Sequence, residues 1–224
     1  MAEEFDMTDL GKVSHYLGPE VSQKQGYTEI KQESYAKKLL VRAGMGECRP
    51  TKYPMETSIQ LDKDENGKVI DSIQLDKDEN GKVIDPTQFK SIVGGLRYLV
   101  HIQPDIAYAV GIVSRYMERP TVLHQAAVKR ILRYIKGTTN YGLIYLKGTG
   151  NHLLKGYSDS DLAGSTEDRR STGAMVFYLN DNLITWVSQK QRCVALSSCE
   201  AEFMAATAAA CQAVWLRNLL IQIT

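Results

Sequence analysis

Cysteine is scarce: four in 224 residues (Cys48, Cys193, Cys199 and Cys211), far apart and with no CxxC pair. That argues against a disulfide framework and points to a reducing, intracellular setting, cytoplasmic or nuclear. Histidine is equally sparse, at His15, His101, His124 and His152, without the pairing a zinc site needs. The acidic start MAEEFDMTDL has no apolar segment of the secretory kind. No apolar run approaches the roughly 18 residues of a membrane helix, so no membrane partner is expected. Net charge is also lacking, since 27 Lys/Arg face 26 Asp/Glu, and charge balance by itself names no partner.

The distribution of charge says more. Between Arg119 and Ser158 there are seven Lys/Arg and no acid, whereas Ser58–Asp85 carries eight acids against four lysines. The acidic stretch is a perfect tandem copy, SIQLDKDENGKVID at 58–71 and again at 72–85. Two copies of so short a period cannot build a solenoid, so the segment reads as a polar loop. Asp62, Asp64, Asn66 and Gly67 match the first half of a calcium loop, but the twelfth position holds Ile73, and Thr87 in the second copy, where a bidentate Glu is needed.

Around this loop the chain alternates strands and helices. Residues up to Pro54 predict a hairpin turning near Lys24–Gly26 and an amphipathic helix from a Ser34 cap to a Gly44 stop. Pro86–Gly137 predicts three helices, the last opened by Thr121, with Val128, Ile131, Leu132 and Ile135 on one side and Lys129, Arg133 and Lys136 on the other. That basic side is either an ordinary solvated face or a contact for phosphate backbone. YGLIYL, HLLKGYSDSD, GAMVFYL and NLITWVSQ read as strands, the last two a hairpin around Asn180 and Asp181. A long helix follows, capped at Ser197 or Ser198 with Glu200 at the capping-box spacing. Its stripe of Met204, Thr207, Cys211, Trp215 and Leu219, widened by Phe203 and Val214, is expected to lie on a sheet.

Acids bracket the region from Gly156 to Phe203. Asp159 and Asp161 fall on a strand, and Glu200 and Glu202 open the long helix. Carboxylates converging from strand and helix can hold divalent ions, and a metal pair about 4 Å apart clamps the attacking and leaving oxygens of a phosphodiester. The alternative is that Glu200 serves the helix cap and the aspartates serve a turn. Three antiparallel strands followed by a helix, with acids so placed, is the order of the first half of a ribonuclease H-like fold.

The segments LGKVSHYLGPEV, SYAKKLLVRAGM, GGLRYLVHIQPDIAYAV, SRYMERPTVLHQAAVKRILRYIKGT, GYSDSDLAG, DRRSTGAMVF and ALSSCEAEFMAA, in that order, resemble the reverse-transcriptase and ribonuclease H region of copia-type long-terminal-repeat retrotransposon polyproteins. The resemblance implies an α+β or α/β chain in four parts. Residues 1–57 are the end of a polymerase palm, 58–85 the duplicated loop, 86–139 helical thumb or connection, and 140–224 a ribonuclease H-like half-domain of three antiparallel strands plus a long helix.

By the same resemblance Asp159 and Glu202 are the catalytic, metal-holding pair, with Asp161 a further ligand, and Arg169 and Arg170 lie near substrate phosphate; Lys129, Arg133 and Lys136 are the nucleic-acid-binding candidates that the charge pattern of the third helix supplies. The partner is an RNA/DNA hybrid or another nucleic acid, and the cofactor Mg²⁺ or Mn²⁺. The family's YxDD polymerase motif would precede Met1 and its third carboxylate would follow Thr224. The expectation is therefore no polymerase, weak metal binding and impaired hybrid cleavage. An open edge at 153–162 is expected to invite self-association or a partner's strand. The alternative implied function is a non-enzymatic remnant that binds nucleic acid or protein through the basic helix 121–136 and that edge.

Overall fold

The computed structural model describes residues 14–56, 61, 86–148, 153–165 and 167–223. The duplicated loop, apart from Leu61, lies outside the described residues, and with it the calcium-loop positions.

Strands β1 (Glu20–Lys24) and β2 (Tyr27–Lys31) form the expected hairpin, with Lys24 opposite Tyr27 and Gly26 at φ +88°. Glycine suits that left-handed turn position because it has no Cβ to clash. Pro19, which has no N–H to give a ladder, sits just before the strand. Helix α1 (Glu33–Arg42) starts near the expected place by a different device. Ser34 is not the cap; its N–H donates to Glu20 Oε1 at 2.8 Å, so β1 supplies the acceptor. Hydrogen bonding to Ser34 holds the Glu20 carboxyl below its ordinary value.

Helices α2 (Pro86–Leu99), α3 (Ala107–Val113) and α4 (Val122–Gly137) follow, with a single 3₁₀ turn on either side of α3. Their apolar stripes meet α1 in one core containing Leu39, Phe89, Leu96, Val110, Ile131 and Ile135. Burial of that apolar surface is the main favourable term holding the layer together. Thr121 opens α4 in a capping box whose other half is His124: Nδ1 accepts the Thr121 N–H at 2.9 Å. The buried imidazole stacks on Tyr116 with ring centroids 4.0 Å apart.

Strand β3 (Gly142–Leu146) pairs antiparallel with β2, giving a first sheet ordered β1-β2-β3. The sequence reading groups this strand with the C-terminal unit; here it completes the N-terminal sheet. The link from α4 is only four residues, and Leu143 is buried opposite Ile30. Gly142 allows the pairing, because a Cβ there would come within 2.2 Å of the Ile30 carbonyl oxygen.

The second sheet, ordered β4-β5-β6, is an antiparallel meander of β4 (Leu154–Ser160), β5 (Thr172–Leu179) and β6 (Asn182–Lys190). Asn180, at φ +55°, forms the β5–β6 turn, and its Oδ1 accepts the Leu153 N–H at 3.0 Å. Asn182 joins the two sheets: its amide accepts from Leu146 N–H at 2.7 Å and donates to Leu146 O at 3.0 Å.

Helix α5 (Ser198–Ile223) lies over β4 and β5. The residues it buries are Ala201, Ala205 and Leu216, not the expected stripe: Phe203, Val214 and Trp215 are more than half exposed. Small side chains win the contact because they let the helix come close, with Ala205 Cβ 3.6 Å from where a Cβ on Gly173 would sit. The 26-residue helix is also about 39 Å long, whereas the longest strand, at nine residues, is about 30 Å, so its end outruns the sheet. By length and composition α5 is apolar enough to cross a membrane, which corrects the expectation that no stretch reaches that threshold.

Candidate functional site

The sequence places four acids around β4, and three of them accept backbone N–H groups, Asp159 Oδ1 from Ser160 at 2.9 Å among them. Asp161 Oδ1 accepts the Thr172 N–H at 2.6 Å while the Asp161 N–H donates to Thr172 O at 3.1 Å, so this residue prolongs the β4–β5 ladder. Glu200 serves the α5 N-terminus: Ser197 Oγ accepts the Glu200 N–H at 3.1 Å, and Glu200 Oε2 accepts the Leu196 N–H at 2.8 Å. A carboxylate here also complements the positive end of the helix.

Asp159 and Glu202 are exposed, and they reach β4 from opposite sides. Side chains alternate along a strand. Ser160 Oγ accepts from Gln191 Nε2, which also donates to Ala201 O, so Ser160 points toward α5. Gly156, on the same side, faces the ring of Phe177 beneath Ala206, Ala209 and Ala213 of the helix. Asp159 therefore shares the other face with Tyr157. Glu202, four residues before Ala206, lies on the flank of α5 next to β4.

The resemblance drawn from the sequence implies Mg²⁺ or Mn²⁺ at these acids. Among the described residues no group of three or more His, Cys, Asp or Glu side chains converges to hold a metal ion. With Asp159, Asp161 and Glu200 each accepting a backbone N–H and no three acids converging among the described residues, the donor set as arranged does not fit a two-metal centre.

The turn between β4 and β5 is built from its own side chains. Ser171 is fully buried, and its Oγ accepts the Ala163 N–H at 3.1 Å. Asp168 accepts the Arg170 N–H at 3.3 Å and pairs with Lys190 Nζ at 2.7 Å. Burial alone pushes the Asp168 carboxyl up, but bonds from Lys190, Ser165 and Arg170 outweigh it and bring it down to about 2. Arg169 stands exposed at φ +57°.

The basic side of α4 is largely engaged. Arg133 Nε donates to Arg49 O at 2.9 Å, Lys136 Nζ to Gly46 O at 2.5 Å, and Arg130 pairs with Glu56. These cations tie down the segment 46–56 that follows α1.

A different cationic feature goes unread in the sequence. On the sheet face that carries Asp159, a cleft of about 770 Å³ opens between the C-terminal end of α2, α3 and β6. Arg97, His101, Arg115 and Lys190 line it together with Tyr98 and Trp186. These residues come from three separate elements, so no spacing along the chain announces them. The opposite face has a groove of about 620 Å³ between β5, β6 and α5, lined mostly by apolar side chains such as Met175, Val187, Phe203 and Met204.

Two antiparallel sheets and a four-helix core make this a mixed α/β chain, and the comparisons with known proteins place it in the reverse-transcriptase-related class. Residues 1–57 match the family model described as "Reverse transcriptase (RNA-dependent DNA polymerase)". The chain is 36% identical over 223 residues to the retrovirus-related Pol polyprotein from transposon TNT 1-94 of Nicotiana tabacum, covering 98% of this chain and 16% of the polyprotein. Against the Pol polyprotein from transposon RE1 of Arabidopsis thaliana it is 34% identical, covering 100% and 14%. An uncharacterized mitochondrial protein of Arabidopsis thaliana is 35% identical over 215 residues, covering 96% of this chain and 83% of its own. No solved structure matches the chain. The chain belongs to the copia-type retrotransposon Pol polyprotein family, and it spans about one sixth or less of the length of the curated polyproteins it matches.

Proposed function

We propose that this chain is a segment of a retrotransposon reverse transcriptase/ribonuclease H that holds an RNA/DNA hybrid without cutting it by itself. The ribonuclease H-like reading of 153–223 is supported by the antiparallel β4-β5-β6 meander followed by α5 packed back over β4. The observation that carries the non-cleaving reading is the placement of Asp159 and Glu202 on opposite faces of β4, with Asp161 and Glu200 bonded to backbone N–H groups. Mg²⁺ or Mn²⁺ is then bound weakly, because two separated carboxylates offset little of the ion's dehydration.

The test is a labelled RNA/DNA hybrid incubated with the chain in Mg²⁺ and in Mn²⁺, reading binding and strand scission together. Binding without scission is expected. Scission of the RNA strand that disappears in Asp159→Asn or Glu202→Gln overturns the reading and makes the chain a nuclease.

A second reading rests on β4 itself, which pairs only with β5 among the described residues and leaves an exposed edge bearing Tyr157. Such an edge is a template for a strand from a second copy of the chain. A concentration-dependent mass in light scattering supports it; a monomer at all concentrations removes it.

A further inference from the structure

The cleft between the helical layer and β6 combines three features that point to one kind of ligand. First is its charge. Arg97 sits exposed in the last turn of α2 and His101 two residues past its end; Arg115 follows α3, and Lys190 ends β6. No Asp or Glu is among the described residues that line the cleft. Asp168, bonded to Lys190 from outside, offsets part of one charge only.

Second is continuity. Arg115 Nη2 donates to Thr172 Oγ1 at 3.0 Å, and Thr172 opens β5 two residues after Arg170. The Lys190–Asp168 pair and the Arg170 N–H on Asp168 hold the same turn at that end of the cleft floor, where Lys190 lies opposite Thr172. The cations therefore form a track from α2, across the floor of β6, to the turn before β5, rather than an isolated spot. A track several residues long matches a chain of phosphates better than a single anion.

Third is the wall. Tyr98 and Trp186 stand among the cations, and the Trp186 indole is fixed by donation to Val100 O at 3.0 Å. A fixed aromatic ring beside cations suits a nucleic-acid strand, whose sugars and bases can lie on the ring while phosphates meet the cations. Gly111 of α3 faces the Ser188 carbonyl of β6, so the cleft is held by the packing of α3 on β6.

We infer that this cleft, with Arg97, His101, Arg115 and Lys190 leading to Arg169 and Arg170, is the track along which the chain grips the phosphate backbone of a nucleic-acid strand. It rests on the proposal above that the chain holds an RNA/DNA hybrid, and it moves the contact from the basic side of α4 to the face of the second sheet that carries Asp159. Asp159 lies on that same face, so a strand seated in the cleft passes on the side of the sheet that holds this acid.

The experiment measures affinity of the whole chain for a fluorescently labelled RNA/DNA hybrid over a range of salt. Arg97→Glu and Arg115→Gln are compared with wild type and with Lys37→Ala, a control on α1 whose side chain pairs with Glu33. The expected result is a loss on the order of tenfold for Arg97→Glu and a salt slope shallower by about one ion, with Lys37→Ala within about twofold of wild type. Arg97 is exposed, so its variant tests the cleft without touching the core, and a thermal melt confirms that each variant folds. Wild-type binding that Arg97→Glu and Arg115→Gln leave unchanged overturns the cleft while leaving the hybrid-holding reading intact. No binding by wild type overturns both. Displacement of the hybrid by inorganic polyphosphate as readily as by unlabelled hybrid reduces the cleft to a general anion site and also overturns the inference.

Discussion

Arg115 Nη2 lies 3.0 Å from Thr172 Oγ1, and this bond joins the turn after α3 to the first residue of β5. It is a direct polar tie between the helical layer and the second sheet. Thr172 is buried and Arg115 half-buried, so neither partner is readily replaced by water. Thr172→Val keeps the shape of the side chain and removes the acceptor. The expected cost is about 1–3 kcal/mol, the range for leaving a charged donor short of a partner. Urea unfolding of wild type and variant reads the difference, and an unchanged midpoint means that the guanidinium finds water there.

Gly156 lies under the ring of Phe177, where a Cβ would come within 2.4 Å of the ring carbons. Phe177 is 2% exposed beneath α5 and has little room to move. Gly156→Ala is expected to destabilise the protein by about 1–3 kcal/mol through overpacking. A lowered thermal midpoint accompanied by greater exposure of α5 amides to hydrogen exchange supports this. Loss of stability without a change at α5 places the strain elsewhere.

Asp168 gives the second sheet a dependence on acidity. Its carboxyl is lowered from 3.8 to about 2 in the folded chain, against the upward push of burial, by Lys190, Ser165 and Arg170. A lowered folded value means the unfolded chain takes up the proton first. The stabilisation is thus fully present above about pH 4 and is lost as the pH falls toward 2. Wild type is expected to lose stability more steeply between pH 5 and pH 2 than Asp168→Asn, in denaturant midpoints measured at low salt. Parallel profiles for the two proteins refute the role of the Lys190 pair, which is partly exposed and therefore screened by salt.

Several local features are legible in the chain because short-range physics decides them. Gly26 marks the β1–β2 turn, Thr121 and Gly137 bound α4, and Asn180 marks the β5–β6 turn. The spacing from Ser197 to Glu200 likewise gives the start of α5, and the bond from the Glu200 N–H to Ser197 Oγ is formed. Even here the detail shifts: Ser34 looks like a cap by residue type, yet Glu20 from another element accepts its N–H.

What the sequence by itself determined is the identity of the elements and the family, because caps, turns, hydrophobic periods and ordered motifs are properties of neighbouring residues. Only the tertiary structure decided how those elements share surfaces. It gave β3 to the first sheet, since a link of four residues and the buried Leu143 leave it beside β2. It chose Ala201 and Ala205 over Phe203 and Trp215 as the packing side of α5, because close approach to Gly173 favours small side chains. It set Asp159 and Glu202 on opposite faces: alternation along β4 is written in the sequence, but the face that α5 covers is not. And it gathered Arg97, Arg115 and Lys190 from three elements into one cleft, an arrangement set by the packing of α3 on β6 rather than by any spacing along the chain.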